Sequence, residues 1–113
     1  MSAEQSPSEQ AGELSSELRG LLRRGEILPG SIQQRMTRCG RPGCACQADP
    51  PRPHGPYWQW TRKVKGKTVT RRLTTEQIER YRPWIESDRR IRELLSALEA
   101  IGIERLEAEQ RQR

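Results

Sequence analysis

Four leucines near the start of the chain follow the spacing of one helix face. They are Leu14, Leu18, Leu21 and Leu22, at positions i, i+4, i+7 and i+8. Ser8 is a suitable N-cap and Gly25 a suitable end, because a serine hydroxyl accepts a hydrogen bond from an unpaired N–H and glycine adopts positive φ. The pattern predicts a disordered tail over residues 1–8 and an N-terminal helical segment over residues 9–28.

Alternation of apolar and polar residues marks the middle of the chain as β-structure. Residues 31–38 alternate in this way and predict a first strand. Two further alternating runs, residues 57–64 and 67–73, flank Lys65 and Gly66. A two-residue connection that offers glycine for positive φ is typical of a β-hairpin. The three runs therefore predict an antiparallel meander.

The hairpin turn also predicts which residues face each other across the two strands. On one face the predicted pairs are Trp58–Leu73, Trp60–Arg71 and Arg62–Val69. On the other face they are Gln59–Arg72, Thr61–Thr70 and Lys63–Thr68. We expect the first face to pack against helices through its tryptophans, with base stacking by those rings as the alternative. The second face is wholly polar.

A helical pattern returns after the hairpin. Thr74 and Gln77 form a capping box, which predicts a helix from Thr75. Because proline lacks an N–H and clashes with the preceding turn, Pro83 is predicted to end that helix at residue 82 and to begin a second one. The apolar stripe of the second helix comprises Trp84, Ile91, Leu94, Leu95, Leu98 and Ile101. Residues 75–113 thus form C-terminal helices with a frayed end.

Charge is concentrated in the central third of the chain. The formal net charge is +6, but residues 31–73 hold ten Lys and Arg against the single acid Asp49, which gives +9. The segments before and after carry −2 and −1. A basic block between nearly neutral segments favours a polyanionic partner, whereas the alternative is a surface whose charge only maintains solubility.

The loop between the first two strands holds all three cysteines and the one histidine. The spacing is Cys-x4-Cys-x-Cys-x7-His, and the residues are Cys39, Cys44, Cys46 and His54. Three thiolates and one imidazole satisfy the tetrahedral preference of zinc and leave no position open for a reacting water. Arg38, Arg41 and Arg52 would favour the thiolate forms. We therefore predict a structural Zn²⁺; the alternatives are free thiols beside an unrelated histidine, or an iron–sulfur cluster.

Cations also cluster on the hairpin. Several adjacent cations are what phosphate binding requires, because affinity comes from counterion release. Hydroxyl and amide side chains on the polar face could read base edges from a β-ribbon. The alternative is that lysines protect exposed strands from aggregation. The predicted nucleic-acid-binding residues are Arg35, Arg38, Arg41, Arg52, Gln59, Thr61, Arg62, Lys63, Lys65, Lys67, Thr70, Arg71 and Arg72.

Other functional classes find little support in the sequence. The central region lacks paired carboxylates, and its one histidine is assigned to metal, so no general base remains and we predict no enzymatic activity. No secretory signal and no membrane-spanning run are apparent. Three cysteines cannot all pair within one chain, which argues against a secreted disulfide framework. We therefore expect a cytoplasmic protein without membrane association.

Three stretches of the sequence resemble a family of short bacterial proteins of unknown function. They are GSIQQRMTRCGRPGCACQ, HGPYWQWTRKVKGKTVTRRL and RPWIESDRRIRELLSALE, within residues 30–100. The resemblance implies an association with mobile elements and places metal ligands at the same three cysteines and one histidine. It implies no established activity. Lys65 departs from the Asn-Gly turn that is frequent in the family. The N-terminal helix lies outside this resemblance.

Together these patterns predict an α+β fold. A small three-stranded antiparallel meander with a zinc-stabilised loop spans residues 29–74, flanked by the N-terminal helix and the C-terminal helices. The predicted function is non-enzymatic binding of nucleic acid, duplex DNA in the first instance, or a mobile-element accessory role. The alternative is a zinc-stabilised protein-interaction module or homodimer. Its contact residues would be Ile91, Leu94, Leu98 and Ile101, which otherwise form intramolecular core.

Overall fold

A computed structural model describes residues 5–37 and 54–112. Its elements in order are α1 (Pro7–Arg24), β1 (Ser31–Thr37), β2 (His54–Val64), β3 (Lys67–Leu73) and α2 (Thr75–Arg111). The strands form one antiparallel sheet in the order β1-β2-β3. The predicted α+β class and the three-stranded meander are therefore confirmed. The loop predicted to bind zinc lies outside the described residues.

Helix α1 begins earlier than its sequence pattern predicts. Ser6, rather than Ser8, is the N-cap, and its hydroxyl accepts a hydrogen bond from the Glu9 N–H at 3.1 Å. Pro7 then occupies the first turn, where a missing N–H costs nothing and a fixed φ suits the helix. At the other end Gly25 is the C-cap with φ 68°, as predicted.

The sheet has the register that the hairpin turn predicts. Both Lys65 and Gly66 have positive φ, 51° and 81°, which is the geometry of a type I′ turn. All six predicted pairs across β2 and β3 are found, from Trp58–Leu73 to Lys63–Thr68. Lys65 adopts this conformation although it has a side chain.

Strand β2 starts at His54, three residues before the predicted start. Between the pairs Arg35–Tyr57 and Thr37–His54, β1 advances two residues while β2 advances three. The extra residue forms a bulge around Pro56, and a bulge is a position where a strand tolerates a residue that cannot donate a hydrogen bond. The bulge therefore allows β2 to contain Pro56.

Helix α2 is one continuous helix, so the predicted break at Pro83 is wrong. The capping box is present: the Gln77 N–H donates to the Thr74 hydroxyl at 3.1 Å, and the Thr74 N–H donates to the Gln77 side chain at 2.9 Å. Pro83 costs about 3 kcal/mol in a helix interior. Burial of Ile78 and Ile85, one on each side of it, opposes that cost.

The chain divides into two compact units. The sheet unit is Pro29–Pro83, and the helical unit comprises Met1–Leu28 and Trp84–Arg113. Helix α2 therefore contributes its first turns to the sheet unit and the remainder to the helical unit. In the part of the chain that the structure describes, no helix is both long and apolar enough to cross a membrane.

Within the helical unit α1 and α2 run antiparallel. The Leu28 N–H, after α1, donates to the Trp84 carbonyl at 3.2 Å, and Glu17 pairs with Arg90 further along α2. The start of α1 lies beside residues 97–101 of α2. Ile85, Ile91 and Leu94 are the buried apolar residues of this unit. Leu98 and Ile101, also in the predicted stripe, are half-buried, whereas Leu95 is exposed.

Candidate nucleic-acid interface

One face of the sheet is polar along its described length. Alternation along β2 places Tyr57, Gln59, Thr61 and Lys63 on this face, and the register adds residues of β1 and β3. We call this set the polar sheet face. The added residues are Ser31, Gln33 and Arg35 of β1 and Thr68, Thr70 and Arg72 of β3.

The polar sheet face is open to solvent. Its members on the two outer strands are exposed, except for half-buried Ser31, while Tyr57, Gln59 and Thr61 on the central strand are half-buried. Central-strand residues are flanked on both sides by neighbours, which explains their lower exposure. The face thus offers a surface of amides, hydroxyls and guanidinium groups rather than an apolar core.

A ring and two arginines meet near one end of this face. Tyr57 pairs directly with Arg35 across β1 and β2. From β3, the Arg72 guanidinium carbon lies 4.0 Å from the centre of the Tyr57 ring, a cation–π contact. Beside them, Arg35 donates to the Gln33 side chain at 3.3 Å.

The other end of the sheet is a two-stranded ribbon. Strand β1 begins at Ser31, which pairs with Thr61, so among the described residues β2 and β3 continue beyond it to the turn without a third strand. This hairpin tip, residues 62–69, carries four exposed cations. They are Arg62, Lys63, Lys65 and Lys67.

The opposite face of the sheet carries the tryptophans. The Trp60 indole N–H donates to the Pro29 carbonyl at 2.8 Å, and the Arg62 guanidinium lies 5.4 Å from the Trp60 ring. Arg82, in the first turns of α2, lies 5.0 Å from the Trp58 ring. The start of α2 therefore contacts the tryptophan face, as predicted for intramolecular packing.

The predicted nucleic-acid residues thus fall into four groups. Those on the polar sheet face are Arg35, Gln59, Thr61, Lys63, Thr70 and Arg72, whereas Lys65 is in the turn. The register places Arg62, Lys67 and Arg71 on the tryptophan face. Arg38, Arg41 and Arg52 lie outside the described residues.

Tyr57 is a member of this surface that the sequence pattern had not assigned to it. The signal was present, because Tyr57 lies two residues before Gln59 on the same strand and therefore shares its face. The predicted strand already begins at Tyr57, so this parity with Gln59 was sufficient to place Tyr57 on the polar sheet face.

No acid offsets the cations of the described sheet. The stretches 31–37 and 54–73 contain seven Lys and Arg and neither Asp nor Glu. The ion pairs of the described chain involve only Glu17, Asp88, Glu93, Arg90 and Arg92, all in the helical unit. Within the described strands and their turn, therefore, no acid offsets the positive charge.

The predicted metal site cannot be assembled from the described residues. Cys39, Cys44 and Cys46 lie outside them, and only the backbone of His54 is described. Within residues 5–37 and 54–112 no group of three or more His, Cys, Asp or Glu residues could hold a metal ion. The Zn²⁺ site remains a prediction.

Comparison with known proteins identifies a family but no characterised relative. Residues 8–83 match the family model of a domain of unknown function, DUF6788. No curated protein and no solved structure matches the chain. The match covers α1 from its second residue and stops before Trp84, so α1, expected to lie outside the family resemblance, belongs to the matched region. Because the match covers more than half of its residues, the chain belongs to the DUF6788 family.

Proposed function

We propose that this chain is a non-enzymatic nucleic-acid-binding protein that uses its sheet as the contact surface. The observation that carries the proposal is the composition of the described sheet, which has seven cations and no acid. Phosphate binding requires such clustering, because each neutralised phosphate releases condensed counterions. Gln59, Thr61 and Thr70 add hydrogen-bonding groups to the polar sheet face.

The hairpin tip supports duplex DNA as a ligand. It is a two-stranded ribbon, and the major groove of B-DNA, about 12 Å wide, admits a two-stranded ribbon. Lys63, Lys65 and Lys67 are exposed around the turn, so their ammonium groups can reach phosphates on either side of a groove. The mobile-element accessory role implied by the family resemblance is compatible with such binding.

A structural zinc ion belongs to the same proposal. Thr37, two residues before Cys39 in sequence, pairs with His54 across β1 and β2. The two ends of the segment that contains the cysteines are therefore adjacent in the sheet. A Cys3His centre would staple that segment to the sheet and would leave no open coordination position for catalysis. We expect one zinc per chain by elemental analysis, and its loss in Cys44→Ser.

Fluorescence anisotropy of labelled duplex DNA at several salt concentrations tests the function. We expect affinity to fall linearly on a log–log plot against salt. The variant Lys63→Glu/Lys65→Glu/Lys67→Glu should abolish binding while its circular dichroism stays unchanged. The matched control is Arg19→Glu/Arg89→Glu/Arg105→Glu, three exposed helical-unit positions with the same change in charge. If both variants lost the same affinity for duplex DNA, the effect would come from net charge alone. That result would contradict the assignment of binding to the hairpin.

A protein-interaction role is the second candidate. Its predicted contacts Ile91 and Leu94 are buried within the chain, but Leu95, Ile103 and Leu106 on α2 are 45%, 56% and 57% exposed. Light scattering would show a dimer if these residues formed a contact between copies. Absence of DNA binding at low salt together with a dimer that Leu106→Glu disrupts would favour this candidate over the first.

A further inference from the structure

We infer that Tyr57 and Arg72 form a stacking site for an unpaired nucleobase, so that the chain also binds single-stranded nucleic acid. This inference rests on the proposed function and names a second form of its ligand. It concerns the part of the polar sheet face that all three strands form. The duplex contacts belong to the hairpin tip, where only β2 and β3 are paired among the described residues.

The geometry of the two side chains is that of a stacking platform. At 4.0 Å from the ring centre, the Arg72 guanidinium lies against one face of the Tyr57 ring. Arg72 is itself exposed, so the planar group reaches solvent. Bases stack on arginine planes and on tyrosine rings alike, and an open sheet face is a common place for such contacts.

Hydrogen-bonding groups surround this pair. Arg35 lies directly across from Tyr57, and Gln33 lies directly across from Gln59, whose partner on β3 is Arg72. Successive rows on one face are about 7 Å apart, because two residues separate them along each strand. A base on the stack would therefore have a guanidinium for its phosphate and amides for its edge within reach.

An unpaired base is the ligand that this site can accommodate. Inside a duplex both faces of a base are covered by its neighbours, so a protein ring cannot stack there without extruding the base. The tryptophans lie on the opposite face of the sheet, which the start of α2 contacts through Arg82 at Trp58 and where the Trp60 indole N–H donates to the Pro29 carbonyl, whereas Tyr57 lies on the open polar sheet face. The structure therefore favours Tyr57 over both as the base-stacking ring.

The test compares one single strand with one blunt duplex. The probes are an oligothymidylate of about twelve nucleotides, within the usual site size of sheet-based binders, and a blunt duplex of similar length. Tyr57→Leu keeps an apolar side chain but removes the π-face, and we expect it to weaken single-strand binding by about 5- to 150-fold. Tyr57→Phe should bind as the parent does, and duplex affinity should be unchanged in both.

A pair of arginine-to-lysine substitutions separates stacking from charge. Arg72→Lys keeps the cation but removes the planar group, and we expect it to weaken binding of the single strand but not of the duplex. Arg89→Lys is the matched control, because Arg89 is an exposed arginine of the helical unit and is not among the predicted nucleic-acid-binding residues. It should leave both affinities unchanged.

The outcomes distinguish this inference from the proposed function. Salt-dependent duplex binding with a single-strand affinity that Tyr57→Leu leaves intact would overturn the stacking site while the proposed function stands. The stacking site is likewise overturned if Tyr57→Leu weakens both probes equally, because the contact would then only support the sheet. If the parent protein binds neither probe at low salt, both proposals fall.

Discussion

The helical unit and the sheet of this protein use charge in opposite ways. The described helical unit holds eight arginines and eleven acids, and the described sheet holds seven cations with no acid. In the helical unit Arg90 donates to both carboxylate oxygens of Glu17, at 2.6 and 2.9 Å, and Arg92 donates to the buried Asp88 at 2.9 Å. The first of these ion pairs connects α2 to α1, and the second connects successive turns of α2.

The sheet shows the contrasting case. Of its cations, Arg62 and Arg72 contact rings and none contacts a carboxylate among the described residues. Like charges on neighbouring strands repel one another and cost stability. Because no carboxylate of the described residues contacts these cations, an external anion is the partner that the proposed function assigns to them. The comparison teaches that charge in the helical unit stabilises the fold, whereas the polar sheet face and hairpin tip are the surfaces to which we assign the proposed binding.

The largest expected effect tests the helical unit's role in stability. Leu94 is 1% exposed, and Leu94→Ala should lower the free energy of unfolding by about 2–5 kcal/mol through lost burial and a cavity. Leu95, its neighbour in the chain, is 45% exposed, and Leu95→Ala should change stability by less than about 0.5 kcal/mol. Chemical denaturation of both variants makes the measurement. Equal losses would show that the buried stripe does not hold this unit together.

The next effect concerns the charges at the hairpin tip. The variant Lys63→Gln/Lys65→Gln/Lys67→Gln neutralises three of them. For duplex DNA, the negative slope of log affinity against log salt should become shallower by about 3. At about 0.15 M salt this corresponds to a loss on the order of 100-fold in affinity. Thermal unfolding should be unchanged or slightly higher, because repulsion within the sheet falls. An unchanged salt slope would mean that phosphates bind elsewhere.

A smaller effect compares glycines in the two units. Gly30 has φ 105°, and a Cβ there would lie 2.5 Å from the Thr61 carbonyl oxygen. Gly30→Ala should therefore cost about 1–3 kcal/mol of stability. Gly20 lies inside α1 with open space around it, so Gly20→Ala should stabilise by about 0.5–1 kcal/mol. Thermal denaturation that moves both variants in the same direction would contradict this contrast.

The smallest effect is a pH dependence in the helical unit. Hydrogen bonding to Arg90 holds the pKa of Glu17 below its usual value of 4.5. A lowered folded-state pKa stabilises the fold above the usual value, and this contribution is lost as pH falls from about 4.5 through the lowered pKa. Glu17→Gln should thus melt slightly below the parent at neutral pH and level with it in strong acid. If the difference in melting temperature between Glu17→Gln and the parent persisted in strong acid, it would come from packing rather than from the ionised carboxylate.

Local chemistry explains which parts of the fold were predictable from sequence. The I′ turn at Lys65 and Gly66 determines the entire register of the hairpin, because each residue pair follows from the turn. The capping box at Thr74 likewise depends on residues three apart. Helix α1 was displaced by two residues because Ser6 and Ser8 are equally good caps in isolation, and only Ser6 is followed by a proline suited to the first turn.

The sequence by itself therefore determined the three strands, the register of the β2–β3 hairpin, the concentration of basic residues in the central third of the chain and the parity that gives the sheet one polar face. Tertiary structure decided that α2 continues through Pro83, with Ile78 and Ile85 buried on either side of the proline. It also decided that β2 extends back to His54, and it placed Arg72 over Tyr57. Those outcomes depend on contacts between residues distant in the chain, whose energies no local pattern contains.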